Sequence, residues 1–304
     1  MHALFKFLVV RIRTTRLRIA TVSGASGFLG AHVVKALLAR GYFVRGTVRT
    51  ASKGDYLKKL FEVDWPSKFE YVVVEDIAFA GAFDDALESV DGVVHTASPV
   101  FAGPDDPPEA LITPAVNGTL GLLHSIQARG PRVRRVVLTS SFAAMIEPRQ
   151  GYYEYTEADW NKYSLREVET QGAAAGLHKY RAAKVLAERA FWDFLAKQEP
   201  RFDGVAINPP WIFGPVLHDV DAIERLNYST KTLWGLLANE VLESSLATYV
   251  GNYTDVRDAA EVHVDAIERE DLAGRRLVFG CRGGAIAVQD FCTSPSQVYL
   301  ALRC

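Results

Sequence analysis

The chain is 304 residues long, with 34 Lys and Arg against 36 Asp and Glu, a net charge of −2, 49% hydrophobic residues and 23% charged ones. These values exclude a disordered chain, a collagen-like fibre and a disulfide scaffold, and the length suits one or two domains with a large core. The near-neutral total conceals a cationic start, because ten Lys or Arg and no Asp or Glu precede Asp55. A nucleic-acid arm or an anion-binding cofactor site would each account for that asymmetry. Three cysteines, Cys281, Cys292 and Cys304, fit no zinc-ligand spacing, and their odd number argues against a disulfide framework. A reduced, cytoplasmic protein without a metal site is therefore expected. No apolar run reaches the roughly 18 residues of a membrane span. The short apolar stretch over 3–10 precedes its arginines, the wrong order for a secretory signal, so residues 1–16 read as an atypical basic leader.

Short β-branched runs alternate with helical stretches, which predicts an α/β fold with a doubly wound parallel sheet. The first strand is expected over 17–22, followed by a glycine turn and a helix over 27–40. Strands follow over 42–48, 71–74 and 93–96, the last opened by the turn Asp91-Gly92. A helix over 113–129 tolerates Pro114 near its first turn, and a fifth strand covers 133–139. An irregular insert rich in aromatics (Tyr152, Tyr153, Tyr155, Trp160, Tyr163) leads into a long helix over 176–197. The sixth strand, over 204–208, stops at Pro209-Pro210. Weaker helical character covers 220–243, and a clearer helix runs over 256–269 with Asp258 as its cap. This predicts a dinucleotide-binding domain over 17–210, joined again by 250–270, and a smaller C-terminal substrate lobe over 211–304.

Gly24-Ala25-Ser26-Gly27-Phe28-Leu29-Gly30 lies between the first strand and the first helix, the context a dinucleotide fingerprint requires. Its glycines permit a tight turn and let backbone N–H groups approach a pyrophosphate at the positive helix end. An unphosphorylated adenosine ribose calls for a carboxylate at the end of the second strand. Arg49 stands there, with Lys53 four residues later. A guanidinium fork and an ammonium suit a 2′-phosphate, so NADP is expected over NAD.

Tyr180 and Lys184 are four residues apart on the long helix and share one face. A tyrosine hydroxyl, with a reference pKa of about 10, is a proton donor at neutral pH. A neighbouring ammonium and an oxidised nicotinamide would draw that value downwards. Thr139-Ser140-Ser141 ends the fifth strand, at the sheet edge where ligands bind in open α/β folds, and supplies a hydroxyl for a carbonyl oxygen. His95 reads as a packed or cofactor-edge residue, while His124, His178 and His263 have no metal-ligand partners at useful spacing. Neither H-E-x-x-H nor G-x-S-x-G occurs, so metalloprotease and α/β-hydrolase chemistry lack their signatures.

The glycine loop, Arg49 with Lys53, Glu75-Asp76-Ile77, His95-Thr96-Ala97-Ser98-Pro99, Ser140-Ser141, Tyr180 to Lys184 and Asn208-Pro209-Pro210 recur in this order in the extended short-chain dehydrogenases/reductases. The chain most resembles the branch of dihydroflavonol reductases and fungal and yeast ketone and aldehyde reductases, over roughly 17–279. The resemblance implies a Rossmann fold and reduction of a ketone or aldehyde by NADPH. Tyr180 would be the general acid, Lys184 the ribose-binding residue that tunes it, and Ser141, rather than Ser140, the carbonyl orienter. Asp76 and Ile77 would flank the adenine, Thr96, Ala97 and Ser98 would line the cofactor, and Pro209, Pro210, Trp211 and Ile212 would border the nicotinamide. Ile146 stands where plant dihydroflavonol reductases carry a polar amide, which implies a different substrate, and nearby aromatics suggest a bulky, polyketide-like carbonyl compound of secondary metabolism. After about residue 283 the sequence departs from the family, which predicts a truncated or altered end to the substrate lobe. Two other readings stay open: a sugar-nucleotide epimerase or dehydratase that retains NAD, and a catalytically silent NADP-binding protein. The expected partner is a small-molecule carbonyl substrate rather than nucleic acid or membrane, in a monomer or homodimer.

Overall fold

The computed structural model describes residues 19–100, 103–238, 249–280 and 286–287. The leader over 1–16, the three cysteines and nearly all of the sequence after 283 lie outside the described residues.

Seven strands form one sheet: β1 (Ile19–Ser23), β2 (Phe43–Val48), β3 (Phe69–Val73), β4 (Gly92–His95), β5 (Arg135–Thr139), β6 (Asp203–Asn208) and β10 (Arg276–Val278). Their order is β10-β6-β5-β4-β1-β2-β3, and every neighbouring pair is parallel. The order reverses between β1 and β4, and such a switch point opens a crevice at the carboxyl ends of the strands. The strands are near-continuous apolar runs because both faces are covered. Adjacent residues therefore enter different cores: Val94 and Val137 pack with α1 (Phe28–Ala39), α2 (Ala51–Glu62) and α7 (Val256–Glu268), whereas Val93 and Val136 pack with α3 (Glu109–Arg129) and α5 (His178–Gln198). Arg135 joins the layers. Its fork donates to Asp203 at 2.5 and 2.9 Å, and its other terminal nitrogen donates to Ala266 O of α7 at 3.1 Å.

Several elements depart from the sequence reading. The helix α2 follows β2 directly, where no helix was expected. Its buried residues, Gly54, Leu57 and Phe61, are spaced three and four apart among lysines, and Gly54 is small because a Cβ would meet the Tyr71 ring at 2.5 Å. The helix α3 begins four residues earlier than expected, so Pro114 lies inside it rather than near its first turn. The insert is not wholly irregular: α4 (Lys162–Gln171) is capped by buried Asn161, whose Oδ1 accepts from Ser164 N at 2.8 Å. The cap of α7 is Asp255 and not Asp258. Buried Asp255 accepts from Arg257 N at 2.7 Å and is held by the Arg257 fork, whereas Asp258 lies within the first turn.

After Asn208 come β7 (Trp211–Phe213), α6 (Tyr228–Ala238), β8 (Tyr249–Gly251), β9 (Tyr253–Asp255) and β11 (Ile286–Ala287). The helix expected over 220–243 is shorter at its start, because Leu226 is extended (ψ 145°) and breaks it before Tyr228. Its expected end, over 239–243, lies outside the described residues. The strands β7 and β9 pair in parallel, and α7 returns the chain to pack on α1. Arg40, which caps the end of α1, is bonded to Glu261, Asp265 and Glu268 of α7 at 2.6–3.1 Å. Among the described residues, no helix is long and apolar enough to cross a membrane.

Candidate active site

The crevice has one wall made largely of backbone. Gly24 leaves β1 with φ +66°, and a Cβ there would lie 3.0 Å from Ala97 Cα. Gly27 N donates to Gly24 O at 2.9 Å, and a Cβ on Gly30 would lie 2.2 Å from the same oxygen. Ala25, fully buried, donates its N–H to Thr47 O at 3.0 Å and so ties the loop to β2. Gly27 caps α1 without a side chain, and the first turn holds no acidic residue. The first N–H groups of α1 are thus left for an anion, at the end where the helix dipole favours one. This cradle fits a pyrophosphate. Ser26 and Leu29 are half-buried at its lip, while Phe28 is buried against the rings of His32 and His218. His32 bonds Pro215 O at 2.9 Å, which fastens the loop after β7 to α1.

Arg49 and Lys53 project into solvent beside this cradle, at the end of β2 and in the first turn of α2, with no ion pair among the described residues. Such a pair fits a phosphate better than a neutral hydroxyl. Asp76 is exposed past β3, and its carboxylate accepts Ala78 N at 2.9 Å. Ile77 lies against Gly118 of α3, where a Cβ would come within 2.8 Å. Ser23, at the end of β1, gathers three groups from the end of β4: its hydroxyl meets His95 Nδ1 at 2.7 Å and accepts Ala97 N at 3.2 Å, while its carbonyl accepts from the Thr96 hydroxyl at 2.6 Å. Burial, assisted by the charge of Lys184, pushes His95 down to about 3. A neutral, packed imidazole is the result. Ser98 is half-buried, with its hydroxyl 3.4 Å from Pro99 O.

The other wall is made of side chains. Ser141 follows β5 and caps a short turn, its Oγ accepting Ala143 N at 3.1 Å. The Tyr180 hydroxyl, from α5, lies near the Ser141 hydroxyl. Lys184 is one turn further along, buried, with Nζ 5.8 Å from the centre of the Tyr180 ring. Burial lowers Lys184 to about 8, partly opposed by the carboxylate of Glu188. The sequence reading expected Tyr180 to be drawn down. Within the protein alone it is raised, because burial outweighs the lowering effect of the neighbouring Ser141 hydroxyl. Tyr180 is therefore a neutral phenol across the neutral range, with a proton to give.

Ser140 is occupied elsewhere: buried, it donates to Glu188 Oε2 at 2.6 Å. Pro209 O accepts Phe142 N at 2.8 Å, which brings the end of β6 against Ser141. Pro210 is half-buried. Trp211 stacks between Phe213 and Tyr228, with centroid distances of 5.9 and 5.7 Å, and Ile212 O accepts the Ser229 hydroxyl at 2.6 Å. Among the described residues no acidic, His or Cys group could hold a metal. Glu188 and Arg276 escaped the sequence reading. Glu188 extends the Tyr180–Lys184 face by one more four-residue step and was legible in principle; Arg276, 88 residues away, left no local signal.

The model of the NAD dependent epimerase/dehydratase family matches residues 20–280. The chain belongs to that family. It is 38% identical over 260 residues to a ketoreductase of Aspergillus niger, azaE, covering 84% of this chain and 75% of that one. It is 35% identical over 267 residues to the NADPH-dependent methylglyoxal reductase GRE2 of Saccharomyces cerevisiae, covering 84% and 76%. Among solved structures, Gre2 of Candida albicans in complex with NADPH superposes with a TM-score of 0.80 at 35% identity, over 90% of this chain and 80% of that one.

Proposed function

We propose that this protein reduces ketones or aldehydes with NADPH, and that Ser141, Tyr180 and Lys184 carry the reaction. The observation that supports this most is the buried Lys184, its Nζ 5.8 Å from the centre of the Tyr180 ring, on the helix that brings Tyr180 beside the Ser141 hydroxyl. Relatives named as an NADPH-dependent reductase and a ketoreductase support the same reading. Gly24 to Gly30 would hold the pyrophosphate, Arg49 and Lys53 the 2′-phosphate, and Asp76 and Ile77 the adenine side. Thr96, Ala97 and Ser98 would lie along the cofactor, and Pro209, Pro210, Trp211 and Ile212 beside its nicotinamide. Bound NADPH supplies the hydride.

In this mechanism Tyr180 gives its proton to the carbonyl oxygen as the carbon is reduced, leaving a phenolate. Ser141 holds that oxygen within reach of the phenol. The Lys184 ammonium, charged below about pH 8, stabilises the phenolate that forms. Proton transfer by a positioned acid contributes roughly 10²–10⁴-fold. The aromatic groups Phe142, Trp211 and Tyr228 border this corner and favour a bulky, apolar carbonyl compound, such as one of secondary metabolism. Every group invoked comes from one chain, so a monomer or a homodimer would serve, and a cytoplasmic NADPH pool would supply it.

The test is NADPH oxidation by the purified protein across a panel of aldehydes and bulky ketones. Turnover that prefers NADPH over NADH is the expected result. Tight NADPH binding without turnover would favour the silent binder, and tightly retained NAD would favour an epimerase.

A further inference from the structure

The start of β10 brings Arg276 beneath the proposed catalytic corner. Glu188 is fully buried and lies one helical turn beyond Lys184. Its Oε1 accepts Arg276 Nε at 2.5 Å and Trp192 Nε1 at 3.2 Å. Its Oε2 accepts the Ser140 hydroxyl at 2.6 Å, Asn208 Nδ2 at 2.8 Å and a second Arg276 nitrogen at 3.3 Å. Four of these five donors cannot act as acceptors, so the carboxyl is held as a carboxylate by their chemistry. The network ties three strands to α5: β5 through Ser140, which follows it, the end of β6 through Asn208 and the start of β10 through Arg276. Asn208 Nδ2 also donates to Ser141 O at 3.1 Å, which carries the network into the backbone of the serine that meets Tyr180.

Arg276 has a second set of partners. It donates to the carbonyls of Glu157 and Asp159 at 2.6 and 2.7 Å, and its guanidinium lies 3.8 Å from the centre of the Trp160 ring. The insert between β5 and α5 is thereby tied to the helix that carries Tyr180. We propose that the Glu188–Arg276 pair is a positioning device for carbonyl reduction: it fixes the Ser141 backbone and α5 against each other, and its balance of charge sets the proton affinity of Lys184. The inference rests on Tyr180 and Lys184 being the reacting pair.

Among the described residues, Lys184 has Tyr180 and Glu188 on its own helix and, from β4, His95, which burial keeps neutral. It shares a small cavity with the hydroxyls of Ser98, Thr119, Thr139 and Ser140. Arg276 acts on it through Glu188. Buried charges interact far more strongly than exposed ones, so neutralising one partner has a sign that can be read. Without the carboxylate, Lys184 loses its proton more readily. Without the guanidinium, the carboxylate is uncompensated and Lys184 keeps its proton longer.

The experiment is the pH profile of kcat at saturating NADPH for wild type, Glu188→Gln, Arg276→Gln, the double variant and Tyr180→Phe. The alkaline limb is expected to move to lower pH in Glu188→Gln and to higher pH in Arg276→Gln, by about half a pH unit or more each. It should return towards wild type in the double variant. Limbs that stay at the wild-type pH in folded single variants would overturn the proposal, since a purely structural pair lowers the melting temperature without moving a limb. If one single variant does not fold, the other against the double variant supplies the same comparison. If neither folds, Glu188→Asp, which keeps both charges and withdraws the carboxylate by one methylene, is expected to lower kcat at least about tenfold with NADPH affinity unchanged; an unchanged kcat would overturn the proposal. Turnover retained in Tyr180→Phe would instead sink the underlying assignment, independently of the limbs.

Discussion

The two walls of the crevice are built from different materials. The glycine cradle is backbone: a left-handed glycine at Gly24, close approaches at Gly27 and Gly30, and helix N–H groups that no side chain caps. The proposed catalytic corner is side chains: the hydroxyls of Ser141 and Tyr180 and the ammonium of Lys184, seated on a buried ionic network drawn from three strands and a helix. Backbone geometry needs little beyond the absence of a Cβ and a strand–turn–helix context. Side-chain geometry needs residues far apart in sequence to meet. The first wall can be broken only by adding atoms, and the second by removing single functional groups.

The largest expected effect lies on the second wall. Tyr180→Phe should lower kcat roughly 10²–10⁴-fold while leaving NADPH affinity within about twofold, measured by steady-state turnover and fluorescence titration. On the first wall, Gly30→Ala places a Cβ 2.2 Å from Gly24 O. Overpacking of that kind costs about 1–3 kcal/mol, so the thermal midpoint should fall by several degrees and NADPH affinity should fall with it. An unchanged midpoint would mean that the loop relaxes easily, and the contrast between the walls would be lost.

Intermediate effects separate the cofactor's charge from its cradle. Arg49→Ala should weaken NADPH by about ten- to a hundredfold, the range of a hydrogen bond to a charged group, with little change for NADH. Equal losses for both would remove the phosphate contact. For the corner, the Lys184 cation is present below about pH 8 and lost as pH rises through that value. The profile of kcat should therefore bend downwards above about pH 8, and the bend should vanish in Lys184→Gln. The smallest effect is expected away from both walls. Arg40→Ala breaks partly exposed ion pairs between α1 and α7 and should cost under about 1 kcal/mol of unfolding free energy, with kcat unaltered.

The same difference of material explains what could be read in the chain. The parallel sheet was legible because strands buried on both faces are continuous apolar runs, and the cradle because its three glycines fall within seven residues between a strand and a helix. Helix α2 was missed because its buried stripe is only Gly54, Leu57 and Phe61 among lysines, and one of those is a glycine whose size answers to Tyr71. The cap of α7 was misplaced by three residues, since Asp255 and Asp258 are equivalent until the backbone shows which one precedes the helix. Tyr180 and Lys184 could be paired by helical period, yet the direction in which Tyr180 is shifted could not, because burial decides it. Arg276 and Glu188 meet only when β10 is placed beside β6, a consequence of topology and not of any local pattern.

In the proposed reaction, hydride from NADPH reaches a carbonyl carbon while Tyr180 supplies the proton. The direct measurement is isotope transfer from NADPH deuterated at C4, with each diastereomer in turn, to a ketone or aldehyde that supports turnover. Wild-type protein should place deuterium on the carbinol carbon from one diastereomer, and Tyr180→Phe, still binding NADPH, should give almost no labelled alcohol. Label reaching the product at an undiminished rate in Tyr180→Phe, or no label from either diastereomer in the wild type, would contradict it.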